Sequence, residues 1–187
     1  FPLLAVPFFI MAVEIMQKGS MATRLLSLSR CLVGHLRGGL AQVSILTSLF
    51  FGALSGSSPA TVAAVGGIMI PSMQREGYSS SYATAVSTSA GCLGVMIPPS
   101  VPLIIYGTTA GVSVGDLFIA TIIPGLIVGA ALMVTAYLLA RRGGHGPAGP
   151  RAGAGETVRA LWASGHALMV PLIVLGGIYG GIMTPTE

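Results

Sequence analysis

Three serines, Ser55, Ser57 and Ser58, sit in the short polar run SGSSP between two apolar stretches. A further apolar stretch is interrupted by Gly91, Gly94, Pro98, Pro99 and Pro102. Hydroxyls and backbone carbonyls are the oxygen ligands that a hard cation takes, and a helix that unwinds inside a membrane sets such carbonyls free. The chemistry these residue types offer is coordination of an ion such as sodium, with Ser55, Ser57 and Ser58 facing carbonyls of Gly94, Ile97 and Pro99. Serine and glycine also let helices pack closely in lipid. One serine alone reads as packing; a serine-rich tip paired with a Gly- and Pro-rich break reads as binding.

A serine in a glycine-rich setting can instead be a nucleophile. Gly52, Ser55 and Gly56 do not have the G-x-S-x-G spacing, however, and His35 and His166 lie far from the tip in sequence. Neither an HExxH motif nor paired intramembrane aspartates occur. No enzymatic activity and no cofactor are expected. Cys31 and Cys92 stand in separate apolar contexts without CxxC spacing and read as packing residues. Glu14, four residues before Lys18, reads as a paired group near a helix end, and Asp116 as a solvated loop residue.

The elements that must hold the serines and the break are set by the solvent. Of 187 residues, 53% are hydrophobic and 7% charged, and the mean hydropathy is +0.86. A soluble domain carries about 25% charged residues, so this composition predicts an all-α polytopic membrane protein. Leu117 to Leu139 and Leu161 to Met183 are long enough to span, since a crossing helix needs about 20 residues. Trp162 suits an interface anchor. Phe1 to Met16 reads as the tail of a third span, and both ends of the chain read as cut. Between Lys18 and Gly39 the spacing of Arg24, Arg30 and Arg37 among leucines predicts an amphipathic helix at the membrane surface.

Leu40 to Leu54 and Thr61 to Met73 are each too short to cross, and they flank Ser55 to Pro59. Two half-helices meeting at a polar tip predict a re-entrant hairpin, whose non-helical tip must be buried in protein or line a cavity. From Tyr82 to Ala110 a second interrupted helix breaks around Gly94 to Ser100, because proline lacks the amide hydrogen and clashes with the preceding turn. Under this layout all nine basic residues fall on one side of the membrane, which the positive-inside pattern makes cytoplasmic. Gly143 to Gly155, rich in Gly, Ala and Pro, reads as a flexible connection.

The residues also carry a family resemblance. FPLLAVPFFI (residues 1–10), HLRGGL (35–40), FFGALSGSSPATVAA (50–64), IMIPSM (68–73), IPPSVPLIIY (97–106) and GGIYGGIMTPTE (176–187) follow one another as in the large membrane subunit of tripartite ATP-independent periplasmic (TRAP) transporters. The chain resembles that subunit over nearly its whole length. The resemblance implies an elevator-type fold of two inverted repeats in the bacterial inner membrane. Residues 1–142 would hold the end of a scaffold helix, the interfacial helix, hairpin, broken helix and next span of the first repeat. Residues 143–158 would be a flexible cytoplasmic linker, and residues 159–187 the start of the second repeat.

It further implies sodium-coupled symport of a small organic acid, such as a C4-dicarboxylate. The partners implied are a periplasmic substrate-binding protein, a small Q-type membrane subunit and the lipid bilayer, with no nucleic acid. Sodium is the coupling ion, and no other metal is implied. Carried onto this chain, the ion site takes Ser55, Ser57, Ser58, Gly94, Ile97 and Pro99, and the substrate site takes Thr61, Pro98 and Ser100. Many family members have an acid where this chain has Thr61. The alternative function is an ion or solute channel built on a re-entrant hairpin.

Overall fold

The computed structural model describes residues 20–147 and 149–182, together with Pro7 and Met11. The expected span tail in residues 1–16 therefore lies largely outside the described residues, as do Lys18 and residues 183–187. Every regular element among the described residues is helical. In chain order these are α1 (Met21–Val33), α2 (Gly39–Ser55), α3 (Ser58–Thr61), a π-helical turn (Val62–Gly66), α4 (Gly67–Arg75), α5 (Ser80–Gly91), α6 (Leu93–Met96), α7 (Val101–Ala110), α8 (Val114–Arg142) and α9 (Ala154–Tyr179).

Two glycines in the left-handed region delimit α2. Gly38 (φ 69) opens the helix, and Gly56 (φ 56) closes it by donating its N–H to Gly52 O at 2.9 Å. L residues with a Cβ avoid that conformation. At Gly38 there is also no room, because a methyl there would lie 2.5 Å from the Ala140 Cβ. Beyond Gly56 the chain reverses. α3, the π turn and α4 join with helical backbone at Thr61, Gly66 and Gly67, so one helical rod runs from Ser58 to Arg75 and packs back along α2. Leu40 at the start of this hairpin and Tyr78 just past its end line the same cleft.

The hairpin's second arm begins earlier than the apolar pattern indicates. Pro59 is the reason: its fixed φ and missing N–H suit the first turn of a helix, so the polar residues Ser58–Thr61 are already helical. The core is built where α2 meets the elements around it, with Val43, Phe51, Val65, Met69, Met73, Ala83 and Leu93 buried. Helix α1 turns Leu25 and Leu28 inward onto this core and leaves Arg24 and Arg30 exposed. It also holds α9, since Arg24 Nη1 donates to Ala163 O (3.0 Å) and Ser164 Oγ donates to Arg24 O (3.0 Å).

Two helices, α8 with 29 residues and α9 with 26, are long and apolar enough to cross a membrane. The α5–α6 and α7 segments together make a third stretch of that kind, bent by 45° at the break. Ile119, Ile123, Leu126, Ile127 and Val134 on α8 and Leu172 and Ile173 on α9 are exposed. A surface this apolar fits lipid rather than water. Ser113 caps α8 by accepting from Asp116 N at 3.2 Å, and Asp116 itself complements the helix dipole in the first turn. At α8's other end stand Arg141 and Arg142. The residues joining α8 to α9 begin docked: His145 stacks on Tyr78 with ring centroids 4.0 Å apart, and Gly38 N donates to Gly146 O at 3.1 Å.

Candidate functional site

The tip of the hairpin and the break after α6 meet backbone to backbone. A methyl on Gly52 would lie 2.8 Å from the Gly94 Cα and 2.9 Å from Leu93 O. One on Gly94 would overlap the Thr61 hydroxyl and lie 2.7 Å from Ser57 O. Gly91 serves the same purpose a turn earlier, where a methyl would collide with Val62 of the π turn. Small residues at these positions let α2, the π turn and α6 approach at a distance that side chains forbid. Tip and break are also tied directly, since Val101 N donates to Gly56 O at 3.3 Å.

Inside this contact the hydroxyls form a closed set. Thr61 Oγ1 donates to Ser57 O (2.9 Å) and lies 2.9 Å from Ser55 Oγ. Ser55 Oγ lies 3.3 Å from Ser57 O and accepts from Ser57 N at 3.4 Å. Ser55 and Thr61 are buried, and Ser57 and Ser58 are half-buried. Three oxygens, Ser55 Oγ, Thr61 Oγ1 and Ser57 O, thus converge at the tip with no charged side chain in their hydrogen bonds. Ser57 O also accepts from Thr61 N at 3.1 Å, so its two lone pairs are taken, whereas the Ser55 and Thr61 hydroxyl oxygens each keep an acceptor position.

Helix α6 runs through Gly94 to Met96, and the backbone is extended at Ile97 (φ −90, ψ 121) and at Ser100 (φ −133, ψ 125), with a bend between them at the two prolines. Unwinding thus starts later than the sequence indicates. The Gly94 carbonyl is free for a different reason. Its i+4 partner would be Pro98, which has no N–H, and Val95 loses its partner in the same way to Pro99. Pro98, Pro99 and Ser100 are all buried, and the Pro98–Pro99 peptide bond is cis. Ser100 Oγ is fully buried and has no hydrogen-bond partner.

The structure therefore gathers Ser55, Ser57, Thr61 and Gly94 into one cluster. Ser58 stands on its flank, Ser58 O lying 3.5 Å from where a Gly91 methyl would be. Ile97 turns toward α8, its Cδ1 2.7 Å from where a Gly125 methyl would stand, and Leu49 and Leu93 reach Gly129. Gly125 and Gly129 lie near the middle of the 29-residue α8, about 26 and about 20 Å respectively from its Arg142 end at 1.5 Å per residue.

Further polar groups were not singled out by the sequence. Gln42, 1% exposed, donates from Nε2 to Met133 O at 2.8 Å and leaves Oε1 unpartnered. Ser44 Oγ and Ser87 Oγ approach to 3.5 Å, and the buried Thr47 hydroxyl has no partner. Helical periodicity is a signal for Ser44 alone among these, because Ser44, Ser48 and Ser55 fall on one face of α2.

A family model described as the tripartite ATP-independent periplasmic transporter, DctM component, matches residues 1–187. The chain is 49% identical over 188 residues to the isethionate TRAP transporter permease protein DctMQ of Oleidesulfovibrio alaskensis, covering all of this chain and 29% of that protein. It is 46% identical over 191 residues to the C4-dicarboxylate TRAP transporter large permease protein DctM of Pseudomonas aeruginosa, covering all of this chain and 44% of that protein. With the ectoine TRAP transporter large permease protein TeaC of Halomonas elongata the identity is 42% over 185 residues, covering 99% of this chain and 43% of that protein. The chain spans less than half the length of these relatives.

Proposed function

Since the chain belongs to the DctM component family of TRAP transporters, which are inner-membrane permeases and not enzymes, we propose that it carries the first-repeat half of the ion and substrate site of a sodium-coupled symporter. The single observation that carries this reading is the convergence of the hairpin tip with the break at the mid-depth of α8. A hairpin that starts beside Ala140, reaches the level of Gly125 and Gly129, and returns to the same end is a re-entrant hairpin once α8 spans the bilayer.

In this reading Ser55, Ser57 and Ser58 supply oxygens to sodium, together with the carbonyls of Gly94, Ile97 and Pro99. Binding would exchange the Ser55–Thr61 hydrogen bond for ion contacts, a small change because those oxygens already converge. The substrate is a small organic anion, such as a C4-dicarboxylate. Two helix N-termini, at Ser58 and Val101, open beside each other at the tip, and the positive ends of helix dipoles favour a carboxylate there. Thr61, Pro98 and Ser100 border that space, and Ser100 offers an unsatisfied hydroxyl. In this proposal the choice of substrate lies with other parts of the transporter, a reading supported by similar chains in permeases named for isethionate and for ectoine.

The complete transporter contains, in this proposal, an inverted second repeat that provides the other half of the site and moves with the hairpin as an elevator. It works with a small membrane subunit and a periplasmic binding protein. The test is uptake of a C4-dicarboxylate into proteoliposomes containing the complete permease and its small subunit. The binding protein and an inward sodium gradient are each supplied or omitted. Uptake that requires both supports the proposal; flux that requires neither identifies a channel.

A further inference from the structure

We propose that the cleft framed by Arg37 and Arg141 holds the phosphate of an anionic phospholipid, whose acyl chain lies in the crevice between α5 and α8. The cleft has a volume of about 250 Å³ and is lined by the two arginines, Ala140 and the backbone turn from Gly144 to Pro147. Arg37 comes from the turn before α2 and Arg141 from the end of α8, so the fold brings two arginines far apart in sequence to the lining of one cleft. Arg24 and Arg75 donate to protein acceptors; Arg37 and Arg141 donate to none among the described residues. No acidic side chain lines the cleft itself, and Glu76 lines the adjoining one on the far side of the shared turn Gly144 to Pro147. An unpaired, like-charged pair of arginines is a receptor for an anion with several acceptor oxygens, and guanidinium groups match phosphate geometry.

Its position selects a lipid over a free anion. Arg141 stands where the apolar helix α8 ends, and Leu138 and Leu139, one turn inward, are 52% and 45% exposed. That is the depth at which headgroup gives way to hydrocarbon. The crevice, about 130 Å³ and almost wholly apolar, is lined by Ile45, Tyr82, Val86, Leu132, Ala136 and Leu139 among others. Ala136 borders the crevice and Ala140 the cleft on successive turns of the same helix face, so a chain leaving the crevice arrives at the arginines. A lipid bound there touches α2, α5 and α8 together and braces the base of the hairpin.

The test uses the complete permease, purified in detergent with phosphatidylglycerol or phosphatidylcholine added, and counts retained lipid by native mass spectrometry. Retention of phosphatidylglycerol should fall about five-fold for each of Arg37→Gln and Arg141→Gln, the equivalent of about 1 kcal/mol per arginine. Phosphatidylcholine and the control Arg151→Gln should be unaffected. The double lysine variant, Arg37→Lys with Arg141→Lys, retains charge and should keep most of the binding. This separates loss of the site from loss of the fold. Equal retention of phosphatidylglycerol by the parent and the double Gln variant would overturn the proposal. Displacement of the lipid by inorganic phosphate at equal concentration would overturn the lipid assignment.

Discussion

Ser55 Oγ and Thr61 Oγ1 lie 2.9 Å apart across the hairpin tip, and both reach the same carbonyl, Ser57 O. Six residues of chain separate them, and the left-handed turn at Gly56 brings them together. The hydrogen bonds of the tip are thereby satisfied within it, with Ser57 O as the shared acceptor. Because Gly94 packs against Thr61 and Ser57, anything that alters the tip is felt at the break.

Replacing Ser55 and Ser58 together with Ala should reduce uptake to the level seen without sodium while leaving membrane insertion unchanged. Uptake measured against sodium concentration in the complete transporter is the check. A double variant with unaltered sodium dependence would remove both serines from the ion site.

At Gly94 an added methyl meets the Thr61 hydroxyl and Ser57 O, neither of which can swing away without opening the tip. Gly94→Ala should therefore destabilise the fold by about 1–3 kcal/mol, the range for overpacking a tight contact, and lower uptake. Gly67→Ala is the matched comparison. It meets nothing within 4 Å and, lying in a helix, should be neutral or stabilise by a few tenths up to about 1 kcal/mol. Thermal unfolding of both variants in the same detergent decides the matter.

Ser100 distinguishes a ligand contact from a structural one. Its buried hydroxyl has no partner, so Ser100→Ala removes an unsatisfied group and should leave the melting temperature unchanged or raise it. If the hydroxyl serves the substrate, the same variant raises KM for uptake by about five- to tenfold, the worth of about 1–1.5 kcal/mol of hydrogen bonding. A lowered melting temperature with unchanged KM would make Ser100 structural.

His145 fastens the residues after α8 to the base of the hairpin through its stack on Tyr78. Burial, followed in effect by the neighbouring Tyr82, pushes the Tyr78 phenol above its usual range, so the ring that receives the imidazole is neutral at physiological pH. His145→Ala should loosen this attachment by about 0.5–1.5 kcal/mol, typical of an aromatic pair. Faster tryptic cleavage at the exposed Arg151 would report it, whereas an unchanged cleavage rate would mean that the Gly38–Gly146 hydrogen bond suffices.

Much of this architecture was legible from local pattern. Leu117 to Leu139 falls inside α8 and Leu161 to Met183 overlaps α9, because an apolar run of that length has few alternatives in lipid and a membrane helix tolerates a proline such as Pro124 or Pro171. The apolar runs on either side of Ser55 to Pro59 form the two arms of a helical hairpin for the same reason of length. Less legible were boundaries and partners. Pro59 starts a helix within the polar run, Gly94 sits in a helical turn with its carbonyl freed by Pro98, and Gly143 to Gly155, flexible by composition, begins with His145 packed on Tyr78. Gln42 and Thr47 gave no local signal, since a polar residue within an apolar run does not announce which carbonyl or cavity it will face.

Composition and order along the chain determined the solvent, the helical class and the family, all of which depend on local hydropathy, on where glycine and proline interrupt it, and on the order of short motifs. Tertiary structure alone decided that the Ser55 tip meets the Gly94 turn, that this meeting lies level with the middle of α8, and that Arg37 and Arg141 line one cleft. Those are contacts between residues far apart in sequence. They exist because close packing at Gly52 and Gly94 against backbone, and at Gly91 against Val62, fixes distances that no local propensity encodes.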